Sequence, residues 1–101
     1  LANELRHLLL SSPGNLPDAA TAAARMRLGE RTLRRRLAEE GTTFQAILDE
    51  VRCHVATDYL VSTHLSTQEI AELLGFSEAT NFRRAFLRWT RRSPTSYRKH
   101  R

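Results

Sequence analysis

Sixteen cationic side chains stand in this 101-residue chain, and their placement says more than their number. After Glu78 the sequence carries Arg83, Arg84, Arg88, Arg91, Arg92, Arg98, Lys99 and Arg101 with no acid among them, a net charge of +8. Residues 1–78 hold 8 basic and 11 acidic groups, net −3, so the overall +5 joins two unlike parts. All the cations but Lys99 are arginine, and Phe82, Phe86, Trp89 and Tyr97 are interleaved with the last group. A solubilising tail would favour lysine and would need no aromatics. The guanidinium is a planar fork that bonds phosphate, or O6 and N7 of guanine, with two parallel hydrogen bonds. The chemistry within reach is therefore recognition of a polyanion.

Other chemistry finds no constellation. His7, His54, His64 and His100 are scattered, and adjacent Cys53 and His54 point about 100° apart on a helix. No pair has zinc-ligand spacing, no serine sits in a nucleophile elbow, and no glycine loop could cradle a phosphate. The expectation is no catalytic residue, no metal, no cofactor and no enzyme. The single cysteine cannot form an internal disulfide. No apolar run approaches the roughly 20 residues that cross a bilayer. A soluble, cytoplasmic chain is expected, with one domain or two very small ones sharing a helix, able to bury somewhat over about 60% of its unfolded surface.

Positioning these arginines falls to helices, since the apolar spacing is helical almost throughout and no strand alternation occurs. Leu1, Leu5, Leu8 and Leu9 mark a first helix, closed by the breakers Ser11 to Asn15. Asp18 is placed to cap a second, alanine-rich helix ending near Met26. A third runs from about Glu30 to Glu40 and stops at Gly41. Thr42 or Thr43 then caps the longest segment, whose 19 or so residues make a rod of roughly 28 Å. Ser66 and Glu69 form a capping box before Ile70, Ala71, Leu73 and Leu74. Gly75 breaks that helix, Ser77 or a near neighbour starts the next, and Ser93-Pro94 opens the last. The fold class is all-α, with about seven helices.

The sequence also repeats itself. Ala22, Ala23, Met26 and Leu28 align with Ile70, Ala71, Leu74 and Phe76. After one inserted residue, Leu33, Arg35 and Leu37 align with Phe82, Arg84 and Phe86. Each copy reads as a helix, a short turn and a second helix with a basic outer face, the helix-turn-helix unit. Ala23 and Ala71 stand where the paired helices would cross most closely. The outer faces carry Arg31, Arg34 and Arg35 in the first copy, and Thr80, Asn81, Arg83 and Arg84 in the second. The first copy departs from the pattern at Arg27, where the turn calls for glycine, and at Gly29, where a capping serine is expected. An arginine held at positive φ costs on the order of 1 kcal/mol, so this turn is expected to be shaped differently.

The run Ile70-Ala71-Glu72-Leu73-Leu74-Gly75-Phe76-Ser77-Glu78, with Phe82 through Trp89 and Ser93-Pro94-Thr95-Ser96-Tyr97-Arg98, closely resembles the signature of the AraC/XylS family of bacterial transcription regulators. Arg31 to Leu37 and Val51-Arg52 with Ala56, Tyr59 and Leu60 fit the same family, so the resemblance covers essentially the whole chain. It implies two helix-turn-helix subdomains, residues 1–41 and 63–101, joined by a linker helix at 42–62. It also implies sequence-specific binding of double-stranded promoter DNA, with two recognition helices in successive major-groove segments. Carried over by position, the contacting residues are Arg31, Arg34 and Arg35, and Ala79, Thr80, Asn81, Arg83 and Arg84. Arg91 departs from the family's usual glycine. RNA polymerase is an implied partner; Asp49, Glu50 and Asp58 on the linker helix read either as its surface or, more simply, as a solvated face. An N-terminal effector or dimerisation domain of the parent regulator is expected to be absent from this chain.

Groove faces about 34 Å apart suit a linker of that length. Arg35 and Arg84, equivalent in the two copies, are the expected guanine readers, and Asn81 could read adenine. Thr80 and Ala79 could meet a thymine methyl or a phosphate. Arg83, Arg88, Arg91, Arg92 and Arg98 suit phosphates or salt bridges, while Arg36 and Arg52 are expected to bond Glu39, Glu40 or Asp49. The alternative is a basic helical interaction module that binds an acidic protein.

Overall fold

Four of the helix starts among the described residues sit where the sequence offers a capping side chain. In the computed structural model, which describes residues 1–99, the Asp18 carboxylate accepts from the Thr21 backbone N–H at 2.8 Å. Ser66 and Glu69 complete their reciprocal box at 3.0 Å in both directions. Thr43 Oγ1 accepts from Ala46 N–H at 3.0 Å, and Ser93 Oγ from Ser96 N–H at 3.1 Å. Each bond satisfies a donor that a helix N-terminus would otherwise leave without a partner. The capping hydrogen bonds also hold the Asp18 and Glu69 carboxyls below their ordinary pKa. His100 and Arg101 lie outside the described residues.

Seven helices and no strand follow among the described residues: α1 (Ala2–Leu10), α2 (Ala19–Arg25), α3 (Glu30–Glu39), α4 (Phe44–Ser62), α5 (Thr67–Leu73), α6 (Ala79–Thr90) and α7 (Pro94–Lys99). The fold is all-α, as the periodicity indicates. The chain divides into two units, residues 1–51 and 52–101, with the boundary inside α4.

In the first unit Leu5 and Leu9 of α1, Ala22 and Ala23 of α2, Leu33 and Leu37 of α3, and Ile47 of α4 are buried. Arg6 Nε donates to Glu50 Oε2 at 2.7 Å, tying α1 to α4, and this bond lowers the Glu50 pKa. The second unit buries Ala56 and Leu60 of α4, Ile70, Ala71 and Leu74, and Phe82 and Phe86 of α6. An aromatic cluster fills the space between α6 and its neighbours. Phe86 lies 5.7 Å from Phe82, 6.5 Å from Trp89 and 5.5 Å from Tyr97, centroid to centroid, and Phe76 lies 5.6 Å from Phe82.

The two helix pairs turn by the same backbone device. At the end of α5, Gly75 N–H donates to Glu72 O and Phe76 N–H to Ala71 O, with Gly75 at φ +86°. At the end of α2, Arg27 N–H donates to Ala24 O and Leu28 N–H to Ala23 O, with Arg27 at φ +60°. Both are the paired bonds of a Schellman motif, which places one residue in the left-handed region. The expectation of a differently shaped first turn is therefore corrected: the arginine adopts the glycine's geometry. The motif's two hydrogen bonds and the buried contacts of Ala23 outweigh a local cost of about 1 kcal/mol. Arg27→Gly should raise stability by about 0.5–1 kcal/mol, the strain relief less the extra freedom of glycine in the unfolded chain. Thermal unfolding measures it, and an unchanged or lower midpoint would contradict the strain.

The positive charge of Arg36 helps to hold the Glu40 carboxyl below its ordinary pKa, and Arg52 reaches a backbone carbonyl. Arg52 Nε donates to the Leu74 carbonyl at 3.1 Å, and its guanidinium lies 4.6 Å from the Phe76 ring centroid. It thus satisfies a carbonyl at the end of α5 and braces the residue after the turn. Arg35, rather than Arg36, reaches Glu39, at 3.5 Å.

Candidate nucleic-acid interface

In each unit the second helix of the pair holds the core with one face and presents cations on the other. Leu33 and Leu37 of α3 are fully buried, while Arg31, Arg34 and Arg35 are exposed. Phe82, Ala85 and Phe86 of α6 are buried, while Thr80, Asn81, Arg83, Arg84 and Arg88 are exposed. Spacings of three and four residues between buried positions produce this division without any special geometry.

Not every predicted contact residue stands on these faces. Ala79, the first residue of α6, is 8% exposed and belongs to the core. Helix α6 begins directly after Glu78, which sets its first side chain on the inward face. Arg98 donates from Nε to the Leu60 carbonyl at 3.1 Å and from Nη2 to the Thr63 carbonyl at 3.4 Å, closing the end of α4. Arg92 donates to the Ser96 carbonyl at 3.1 Å and lies 5.2 Å from the Tyr97 ring centroid. These two cations are committed to backbone carbonyls of their own unit. Arg91 is exposed and takes φ +65° where α6 ends, its N–H donating to Leu87 O at 2.8 Å.

The two outer faces differ electrostatically. On α3, Arg34 is paired with Glu30 at 2.9 Å and Arg35 with Glu39 at 3.5 Å. Among the described residues, no protein group hydrogen-bonds or ion-pairs with the guanidiniums of Arg31, Arg83, Arg84 or Arg88. The α6 face therefore presents undivided positive charge, and the α3 face presents cations partly neutralised by their own helix.

The helix starts add a feature that residue types alone do not mark as a site. The first helix of each pair is side-chain capped, by Asp18 on α2 and Ser66 on α5. The second helix of each pair is not: Gly29 precedes α3 and Glu78 precedes α6, neither making a side-chain cap bond. The first-turn N–H groups of both cation-bearing helices are thus left for an external acceptor, and helix N-termini favour anions. The trace of this in the sequence is Gly29, standing in place of a capping residue.

The remaining reactive groups offer no assembled chemistry. Cys53 is half-buried, and burial pushes its thiol pKa up, away from the nucleophilic thiolate. Among the described residues no group of three or more His, Cys, Asp and Glu could hold a metal ion. No helix among them is long and apolar enough to cross a membrane.

Known proteins share this geometry. The helix-turn-helix domain family matches residues 22–100. The ornithine utilization regulator of Pseudomonas aeruginosa is 48% identical over 98 residues, covering 97% of this chain and 29% of that protein. The transcriptional regulator VqsM of the same organism is 40% identical over 98 residues, covering 97% of this chain and 30% of the relative. The chain thus spans under a third of the length of these relatives. Among solved structures, the transcriptional regulator CdpR from Pseudomonas aeruginosa superposes with a TM-score of 0.89 at 39% identity, over 97% of this chain and 31% of that one. The DNA-binding domain of AdpA, solved with a target DNA, gives a TM-score of 0.82 at 28% identity, over 98% of this chain and 90% of that one.

Proposed function

Because the chain belongs to the AraC/XylS family of helix-turn-helix domains, we propose that it binds double-stranded promoter DNA sequence-specifically as part of a transcription regulator. The observation that carries this reading is the duplicated device: in each unit an uncapped second helix faces solvent with arginines, its opposite face locked in the core. Such a helix offers N–H groups and guanidiniums to phosphates, and long planar forks to base edges in the major groove.

In this reading α3 and α6 enter successive major-groove segments, so the protected DNA contains two short elements about one helical turn apart. Arg31, Arg34 and Arg35 act from α3, and Thr80, Asn81, Arg83 and Arg84 from α6. Arg84, exposed and unpaired on α6, reads a guanine, and Asn81 is placed for adenine. Arg88 and Arg91 take phosphates, while Arg92 and Arg98 hold α7 in place. Ala79 serves the core.

Arg84→Ala should weaken binding to the cognate site by about 1–3 kcal/mol while leaving binding to unrelated duplex little changed. A footprinting titration on promoter fragments measures both. Unchanged affinity for the cognate site would remove Arg84 from base reading. Equal retention of promoter and scrambled duplex in a gel shift would instead favour an acidic protein as the partner. The parent protein's effector or dimerisation domain, its cytoplasmic location and a contact with RNA polymerase belong to the same proposal. For that contact Asp58 is better placed than Glu50, which is bonded to Arg6.

A further inference from the structure

The arginines of α3 are held in unequal ways by the carboxylates beside them. Arg34 donates through Nε to Glu30 Oε2 at 2.9 Å. Arg35 donates through its terminal nitrogen Nη1 to Glu39 Oε1 at 3.5 Å. The difference bears on which edge of each guanidinium is left open. With Nε engaged, Arg34 keeps its terminal Nη1/Nη2 fork, which matches O6 and N7 of guanine. With Nη1 engaged, Arg35 has that same fork partly occupied. Glu30 is the first residue of α3, at the end of the helix left without a side-chain cap. In the second copy its position is taken by Ala79, which is buried, and Arg83, the counterpart of Arg34, has no carboxylate partner among the described residues.

From this we infer that Glu30 is a positioning residue for base reading: its carboxylate fixes the plane of the Arg34 guanidinium so that the terminal fork meets one guanine. The inference rests on the proposed DNA-binding function and adds a determinant to it. An exposed arginine otherwise samples many rotamers, and each must be given up when a base is read. A carboxylate one helical turn before it removes part of that freedom in advance. It also places a negative charge near the DNA, so its effect on specific and on unrelated duplex must differ in sign. Arg34, rather than Arg35, then becomes the guanine reader of the first unit.

The test starts from the site that the full chain enriches from a random duplex library. Each base pair of that site is varied in turn, and affinity is followed by fluorescence anisotropy for the unaltered chain, E30A, E30Q, R34A and the E30A/R34A double variant. R34A should flatten the preference at one G·C pair by about tenfold. E30A and E30Q should flatten the same pair, leave other positions unchanged and add nothing to R34A in the double variant. Binding to scrambled duplex should hold or rise when Glu30 is removed. Two results overturn the inference: R34A flattens a pair whose preference survives in E30A and E30Q, or the Glu30 variants weaken every duplex alike, as a purely helix-stabilising residue would. If R34A flattens no pair, Arg34 reads no base and the role given to Glu30 falls with it. Failure to enrich any site would instead overturn the proposed function.

Discussion

Phe86→Ala should destabilise the chain by about 3–5 kcal/mol, most of what a domain of this size has to spare. Phe86 is fully buried, and three aromatic rings, Phe82, Trp89 and Tyr97, lie within 6.5 Å of it centroid to centroid. Removing the ring forfeits its transfer free energy, opens a cavity that three rigid neighbours cannot collapse into, and removes edge-to-face interactions worth about 0.5–1.5 kcal/mol each. Tyr97 belongs to α7, so the same ring that anchors α6 also seats the last helix. Urea denaturation gives the destabilisation directly. Phe86→Leu, which keeps much of the volume, should cost less than half as much. A change under about 1 kcal/mol for the alanine variant would mean that the cluster is looser than its geometry indicates. DNA affinity should fall in parallel with the folded fraction, because the outer face of α6 exists only while its inner face is packed.

The counterpart of Phe86 in the first copy is Leu37, and this pair illustrates what a sequence makes legible. Four-residue spacing marks both as core, and both are fully buried. The caps Asp18, Ser66 and Ser93 are equally legible, since each bonds a backbone N–H three residues on, within the reach of local pattern. Arginine roles are not. Arg52 reaches a carbonyl 22 residues away and Arg98 one 38 residues away, and no local spacing announces a carbonyl left over at a helix end. The turn at Arg27 defeats local reasoning for a related cause: propensity disfavours it, and the tertiary demand for a tight corner over Ala23 prevails. Ala79 falls on the wrong face because, at the first position of a helix, a shift of one residue in the start rotates the side chain by about 100°. That α3 can neutralise its own arginines and α6 cannot, the feature that separates the two helices, is legible in the i,i+4 spacing of Glu30 with Arg34 and Arg35 with Glu39. Which guanidinium nitrogen each carboxylate holds depends on side-chain geometry that only the structure supplies.

That separation has a large consequence for DNA affinity as salt changes. The variant Arg83→Ala/Arg84→Ala/Arg88→Ala should make the slope of log K against log salt shallower by about 0.9 for each phosphate it no longer neutralises. With one phosphate for each of the three cations, the shift is about 2.7, which over a fourfold rise in salt amounts to roughly 40-fold in affinity. The unaltered chain should be the more salt-sensitive by that factor. Removing Arg31, Arg34 and Arg35 takes the same number of positive charges from α3 and should change the slope less. A guanidinium that already holds a carboxylate displaces fewer counterions from DNA, because part of its field is cancelled within a Debye length of about 10 Å at 0.1 M salt. Arg34 with Glu30 and Arg35 with Glu39 are in that condition, and Arg83, Arg84 and Arg88 are not. Titrations of both triple variants at several salt concentrations decide the matter. Equal slopes would show that the intrahelical pairs open on binding and that the asymmetry of the free protein vanishes in the complex. A steeper dependence on the α6 cations assigns most of the electrostatic attraction to the second unit. The first unit, with its cations already oriented by their own carboxylates, would then contribute chiefly to the choice of sequence.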